Sequence, residues 1–352
     1  MKKLSFKIIV PAMLLIVASG SGVAAEPGKD GRTVNEVATY QGADRQTRLV
    51  DGAKKEGELS VYFAHPIVQK IMGAFTQKYG IKVTSWRGGS EAIQQRVMAE
   101  SRAGKNDVDI IINTAMDTEG DRREKLLQEV RSPYQQDLVP SAVPAHRQWA
   151  TVMLDVYSAG YNTKLIKKEE LPKTYQDLLD PKWKGRLGVE ANDHMWLGAL
   201  MDAMGEESTR KLFDTIVATN GISVRKGHSL LTTMVASGEV PLALTVYSWN
   251  PEQLKRKGAP VEVHFIAPVF GIPTAIEMLI KAPHPNAAVL FYDFMLTDGE
   301  KILADATYVP TSTKVVSPLA NVPVKIIDPV HALEMQDKWV KIYEDTITKK
   351  AR

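Results

Sequence analysis

The feature that most narrows the fold is a repeated alternation early in the chain. LSVYFA (59–64) has the β-branched and aromatic content of a strand. PIVQKIMGAFTQKYG then places Ile67, Ile71 and Phe75 on one helical face, with Pro66 suited to the first turn and Gly80 as the stop. The order repeats: IKVTSW (81–86) reads as a strand, RGGS as a turn, EAIQQRVMAESRAG as a helix with Ser90 as its expected N-cap, and VDIIIN (108–113) as a third strand. Apolar throughout, that third strand suits a position covered on both faces. Strand-helix-strand alternation requires a parallel sheet in an α/β fold, and such sheets hold ligands beyond the carboxyl ends of their strands. Those ends fall at Ala64 and His65, at Arg87 to Ser90, and at Asn113 and Thr114.

A second unit follows VMLDVYSAGYNT (152–163), which reads as extended chain passing between two lobes. GRLGVEA (185–191) is a strand opening into NDHMWLGALMDAM, a helix expected to start near Asn192 or Asp193. GISVRKGH leads into SLLTTMVASGE, whose apolar face is Leu230, Leu231, Met234 and Val235, and VPLALTV is the next strand, finishing on Tyr247, Ser248 and Trp249. VEVHFIAPVFGIP (261–273) reads as a second crossing, after which NAAVLFYDFML is an apolar helix returning to the first lobe. The expected divisions are a leader at 1–25, an N-terminal extension or first short helix at 26–48, a first lobe at 49–156, a second lobe at 157–266, and a return to the first lobe with C-terminal helices at 267–352.

The leader is recognised by Lys2, Lys3 and Lys7, an apolar stretch from Ile8 to Val17 too short to span a bilayer, and small residues ending in Val23, Ala24 and Ala25. Cleavage after Ala25 is expected, and with no cysteine in the chain a lipid anchor on the leader and a disulfide are both excluded. The expected location is the periplasm, free of the membrane. The leader holds three of the 44 Lys and Arg and no acid, so the mature chain carries 41 residues of each sign. A net charge near zero, without a dense basic block, offers no footprint for nucleic acid or an anionic membrane. Enzyme signatures are absent too: there is no G-x-S-x-G, no H-E-x-x-H and no Gly-rich phosphate loop. A periplasmic hydrolase is the weaker rival reading.

Particular phrases, in order, carry a resemblance: AKKEGELSVY, FTQKYGIKVTSW, ESRAGKNDVDII, YNTKLI, DPKWKGRLG, ASGEVPLAL, KGAPVEV, and KAPHPNAAVLFYDFML followed by DGEKILADATYVPT. Together they resemble the type 2 periplasmic solute-binding proteins of ABC importers, most closely the ferric-iron-binding-like branch. The resemblance implies two α/β lobes joined by two crossing strands that act as a hinge, with a ligand cleft between them. It implies a monomeric transport receptor rather than an enzyme, with no cofactor and a membrane permease as partner.

In iron-binding members of that branch two consecutive tyrosines follow a second-lobe strand, and a His and a Glu come from the first lobe. Here His65 matches the His, the Glu position falls near Thr114, and Tyr247 is followed by Ser248. Two hard anionic ligands have no counterpart, so the resemblance implies a small organic anion as solute. Ferric iron held by His65 and Tyr247 with an exogenous anion stays open as the alternative. Some relatives hold an anion at the start of the second lobe's first helix, which corresponds to Asn192, Asp193 and His194.

The expected ligand-binding set is therefore His65, Arg87, Ser90, Asn113 and Thr114 from the first lobe with Asn192, Asp193, Arg225, His228, Tyr247 and Ser248 from the second. Arg225 is expected to neutralise an acidic group, the amides near Asn192 to take its oxygens, and Tyr247 and Ser248 to orient it. Structural roles stay open beside these. Asn192 and Asp193 also suit an N-cap, Arg225 also suits a surface ion pair, Trp196 and Trp249 suit packing, and His284 suits a helix start.

Overall fold

The computed structural model describes residues 31–351, so the leader lies outside the described residues. Three parallel strands come first: β1 (Glu58–Phe63), β2 (Lys82–Arg87) and β3 (Ile110–Thr114), side by side in the order β2-β1-β3. Their crossovers are the helices Ile67–Tyr79 and Ser90–Arg102, as the alternation demands. Gly80 ends the first in the left-handed conformation, φ 74°, where a residue without Cβ is favoured.

Further along run β4 (Trp149–Asn162), β5 (Leu187–Glu190), β6 (Ser223–Arg225), β7 (Leu242–Tyr247), β8 (Val261–His264), β9 (Val269–Met278), β10 (Val309–Pro310) and β11 (Val324–Ile326). The main path through the sheet is β2-β1-β3-β9-β4-β7-β5-β6. β4 is shared between its two halves. From Trp149 to Val156 it pairs antiparallel with β9, and from Tyr157 to Asn162 with β7 and β8.

Each half has its own core. Leu59, Val61, Ile110, Ile112 and the helix Pro285–Phe294 fill one; Leu187, Val189, Leu242, Leu244 and the helix His194–Met204 fill the other. Burial of these apolar side chains, roughly 1.5–3 kcal/mol for each large one, is what makes each half a folding unit. The second crossing differs from the continuous one expected. It is interrupted at residues 265–268, so β8 stays with the second half while β9 joins the first.

One local expectation is corrected and two open readings are decided. From Val34 onward the polar segment before Leu49 is ordered: helices Val34–Thr39 and Arg45–Glu56 bury Val34, Val37, Ala38, Leu49 and Ala53 against the first core. Arg45 is itself buried because Asp293 takes its guanidinium. Ser90 is not the cap: Gly89 holds the extended N-cap conformation and Ser90 is the first helical residue. Asp193 stands at the N-cap of His194–Met204, but its side chain makes no capping bond.

The helix Pro329–Tyr343 bridges the halves, touching both His194–Met204 and the helix Ala115–Arg123 that follows β3. Trp339 seats over Gly198 so closely that a Cβ there would lie 2.2 Å from the indole. Any larger residue at 198 would displace this helix.

Candidate functional site

β4 carries Asp155 and Tyr157 two residues apart, hence on one face, on either side of its change of partner. Asp155 is 2% exposed and serves the first half: its Oδ1 accepts from the Trp249 indole N–H at 2.9 Å, and its Oδ2 from the Thr274 hydroxyl at 3.1 Å. The Oδ2 also meets His65 Nε2 at 3.1 Å. His65, at the end of β1, is therefore aimed by a carboxylate from the crossing strand.

Tyr157 serves the second half. Its hydroxyl donates to Asp193 Oδ1 at 3.2 Å, and the same oxygen meets His228 Nε2 at 3.0 Å. The other oxygen, Oδ2, is buried and has no partner among the described residues, although Asp193 is only 3% exposed. Glu190, at the end of β5, completes the group: ligand atoms of Glu190, Asp193 and His228 all lie within 4.8 Å of one another. Tyr247 is the register partner of Tyr157 across β4 and β7, so both phenols stand on one face. Its ring stacks on His228 with centroids 4.0 Å apart, and the stack continues through Trp249 at 6.4 Å to Tyr308 at 4.7 Å further on.

The chain matches the family model described as "Bacterial extracellular solute-binding protein" over residues 70–326. It belongs to this family. Among curated relatives, it is 27% identical over 188 residues to the "Fe(3+)-binding periplasmic protein" of Serratia marcescens, 53% of this chain and 54% of that one. It is 24% identical over 285 residues to "Iron uptake protein A1" of Synechocystis, 74% of this chain and 77% of that one. The match thus spans about half the length of the first relative and three quarters of the second.

Among solved structures it resembles iron-bound HitA of Pseudomonas aeruginosa, with a TM-score of 0.70 at 21% identity over 82% of this chain and 99% of that one. AfuA of Actinobacillus pleuropneumoniae, with fructose-6-phosphate bound, gives 0.71 at 21% identity over 83% and 99%. The fold is the mixed α/β, two-lobe type 2 architecture of periplasmic binding proteins. Members of the family are binding proteins, and no helix among the described residues is long and apolar enough to cross a membrane.

Of the residues expected to bind solute, this solute-binding protein brings Asp193, His228 and Tyr247 together, and places His65 on the Asp155 side of the same strand. The others go elsewhere. Arg225 points its guanidinium to Glu239 at 3.5 Å and to the Val224 carbonyl, because β6 is an edge strand whose end is open to solvent. Arg87 is exposed and donates to the Ala64 carbonyl at 3.2 Å, tying the ends of β1 and β2. Asn113 donates to the Ser90 carbonyl at 3.1 Å, so these two hold a helix start to a strand end. Thr114 caps the helix Ala115–Arg123 through Asp117. Asn192 is exposed and contributes its backbone N–H to Glu190, and Ser248 is tied by its backbone N–H to Val156.

The electrostatics are those of a site rich in negative charge. Burial lowers the His228 pKa, but the Asp193 charge and hydrogen bond, with the Glu190 and Asp155 charges, outweigh it and leave the imidazole above its ordinary value. Burial and then the Asp193 charge push the Tyr157 and Tyr247 phenols well above theirs. Burial lowers His194. Asp155, Tyr157, Glu190 and Thr274 were not among the expected residues. The signal for the first was an acid set in the apolar run VMLDVYSAGY.

Proposed function

We propose that this protein is the periplasmic receptor of an ABC importer and that the solute it captures between its lobes is a cation, with ferric iron the cargo that best fits the donors. The observation carrying this reading is the Asp193 carboxylate: buried, with Oδ2 unpartnered, beside an imidazole, a second carboxylate and two phenols. An uncompensated buried carboxylate oxygen is unfavourable, and a cation meeting it would relieve that. Carboxylate and phenolate oxygens are hard donors suited to a hard ion, and a trivalent charge reverses the upward push on the phenol pKa values. The relatives named for Fe(3+) binding and iron uptake support the same class.

This charge balance favours a cation over the organic anion expected from the sequence, since Arg225 is engaged at the surface and Arg87 is exposed. In this reading Asp193, His228 and Tyr247 contact the cargo, His65 approaches from the other lobe as the halves close, and the cargo leaves unchanged to the permease.

The test is a titration of metal-stripped mature protein with ferric nitrilotriacetate, followed by visible absorbance and thermal stability. One equivalent should produce a phenolate-to-iron absorption band and raise the melting temperature. Tyr247→Phe should remove or shift the band, and Asp193→Asn should weaken binding at least tenfold, about 1.4 kcal/mol. Stabilisation by small carboxylates or sugar phosphates, with none by ferric iron, would return the site to the anion reading.

A further inference from the structure

Glu190 is 3% exposed, yet its carboxylate is bonded to no cationic side chain among the described residues. It is held by the backbone. Oε2 accepts the Asn192 N–H at 2.5 Å and Oε1 the Gly227 N–H at 2.8 Å. These amides lie in the two turns that lead into the helices His194–Met204 and His228–Ser237, of 11 and 10 residues. Gly227 takes φ 99°, a conformation side chains disfavour, and there its N–H reaches the carboxylate. The ends of Glu190 are fixed as well: its N–H donates to the Thr245 hydroxyl at 2.8 Å, and its carbonyl accepts from the Tyr343 hydroxyl at 2.5 Å.

Backbone N–H groups converging at helix starts form a place for an anion, favoured by the partial positive charge of each helix end. In this protein the anion is the chain's own side chain. The two turns it ties are the ones that present Asp193 and His228, and one of its oxygens lies within 4.8 Å of their ligand atoms.

We propose that Glu190 acts as an internal anion: it fixes the spacing of the turns bearing Asp193 and His228, and it supplies the negative charge that a free anion would otherwise bring beside a bound cation. Glu190 is on this view a positioning and specificity-determining residue. Cargo loading then needs no small-molecule anion. The second half of the proposal rests on the cation reading of the site; the first half does not.

The two halves separate experimentally. Without metal, Glu190→Ala should melt below wild type and be restored saturably by formate or acetate, which fit the vacated amides, while wild type shows no matching response. Glu190→Gln keeps the volume but presents an N–H to one amide, so it should be destabilised and insensitive to formate. Should Glu190→Ala not fold, Glu190→Gln carries the test: melting below wild type with no gain from formate supports the internal anion, and melting equal to wild type overturns it. With iron added as ferrous perchlorate and oxidised by air, in a buffer free of carboxylates and phosphate, wild-type loading should be unchanged by formate, and Glu190→Ala should load iron at least tenfold more weakly and regain it when formate is added.

Failure of formate and acetate to raise the melting temperature of Glu190→Ala by more than they raise that of wild type overturns the internal anion whatever the cargo. Wild-type iron loading that requires an added anion overturns the charge-supply half alone. Metal-free rescue in a protein that takes no iron upholds the internal anion and removes the cation reading instead.

Discussion

Two acids in the first lobe should make stability fall as pH rises. Asp121, on the helix Ala115–Arg123, and Glu277, on β9, are both fully buried, and neither is paired with a cationic side chain among the described residues. Burial pushes Asp121 up to about 7, with the Asp117 and Glu124 charges adding to it against a bond from Glu277. Burial, then the Asp121 charge and their mutual bond, push Glu277 well above its ordinary value, while the Thr118 hydroxyl favours its charged form. Two such carboxyls in contact hold a proton between them. The folded pKa values are raised, so the stabilising contribution is complete below the unfolded value near 4 and is lost as pH climbs through the folded values. Each proton kept by the folded chain alone weakens stability by about 1.4 kcal/mol per pH unit. One proton held by the pair in the folded chain and already lost from the unfolded one amounts to roughly 4 kcal/mol between pH 4 and 7. The assay is urea unfolding at half-unit pH steps, comparing wild type with the isosteric double variant Asp121→Asn/Glu277→Gln, which cannot titrate at either position. The difference between the two should fall by at least one proton's worth per pH unit from 5 to 7. Parallel stability curves would refute the shared proton, since subtraction cancels every other titrating group.

Severing the buried Arg45–Asp293 pair by Arg45→Ala should cost about 3–5 kcal/mol in urea unfolding, because it strands the Asp293 charge beneath the N-terminal helices. Arg225→Ala should change cargo affinity less than twofold by calorimetry, since its guanidinium serves Glu239; a tenfold loss would place it back in the site. Cation affinity should decline as pH falls from 8 to 6, because His228, raised by Asp193, Glu190 and Asp155, takes up a proton where the cation would bind. A flat profile would remove His228 from the ligand set.

Much of the fold was legible because its signals are local. The periods of LSVYFA and PIVQKIMGAFTQKYG, and the uniform apolarity of VDIIIN, specify a parallel strand-helix-strand unit without reference to anything distant. The ordered helices before Leu49 were not legible, because their anchors are remote. Arg45 is buried only by virtue of Asp293, and Glu56 by its bonds to the N–H groups of Asn286 and Ala287. A polar residue whose partner lies more than two hundred positions away reads as exposed chain.

The same distinction divides the site. His65, Asp193, His228 and Tyr247 sit at strand ends or helix starts, which an α/β order marks as places where ligands gather. Their charge state is another matter. Asp193 meets Tyr157 and His228 across separations of 36 and 35 residues, and those contacts, not its position at a helix start, turn it from a cap into a buried acceptor. Arg225 shows the converse: its sign suited an anion, but the edge position of β6 turns the side chain to Glu239. Asp155 is the instructive case. Within a 14-residue strand buried along its whole length, an acid must have donors waiting for it, and Trp249, Thr274 and His65 are those donors. An acid inside an apolar crossing strand is therefore a stronger pointer to the cleft than any cation in the loops around it.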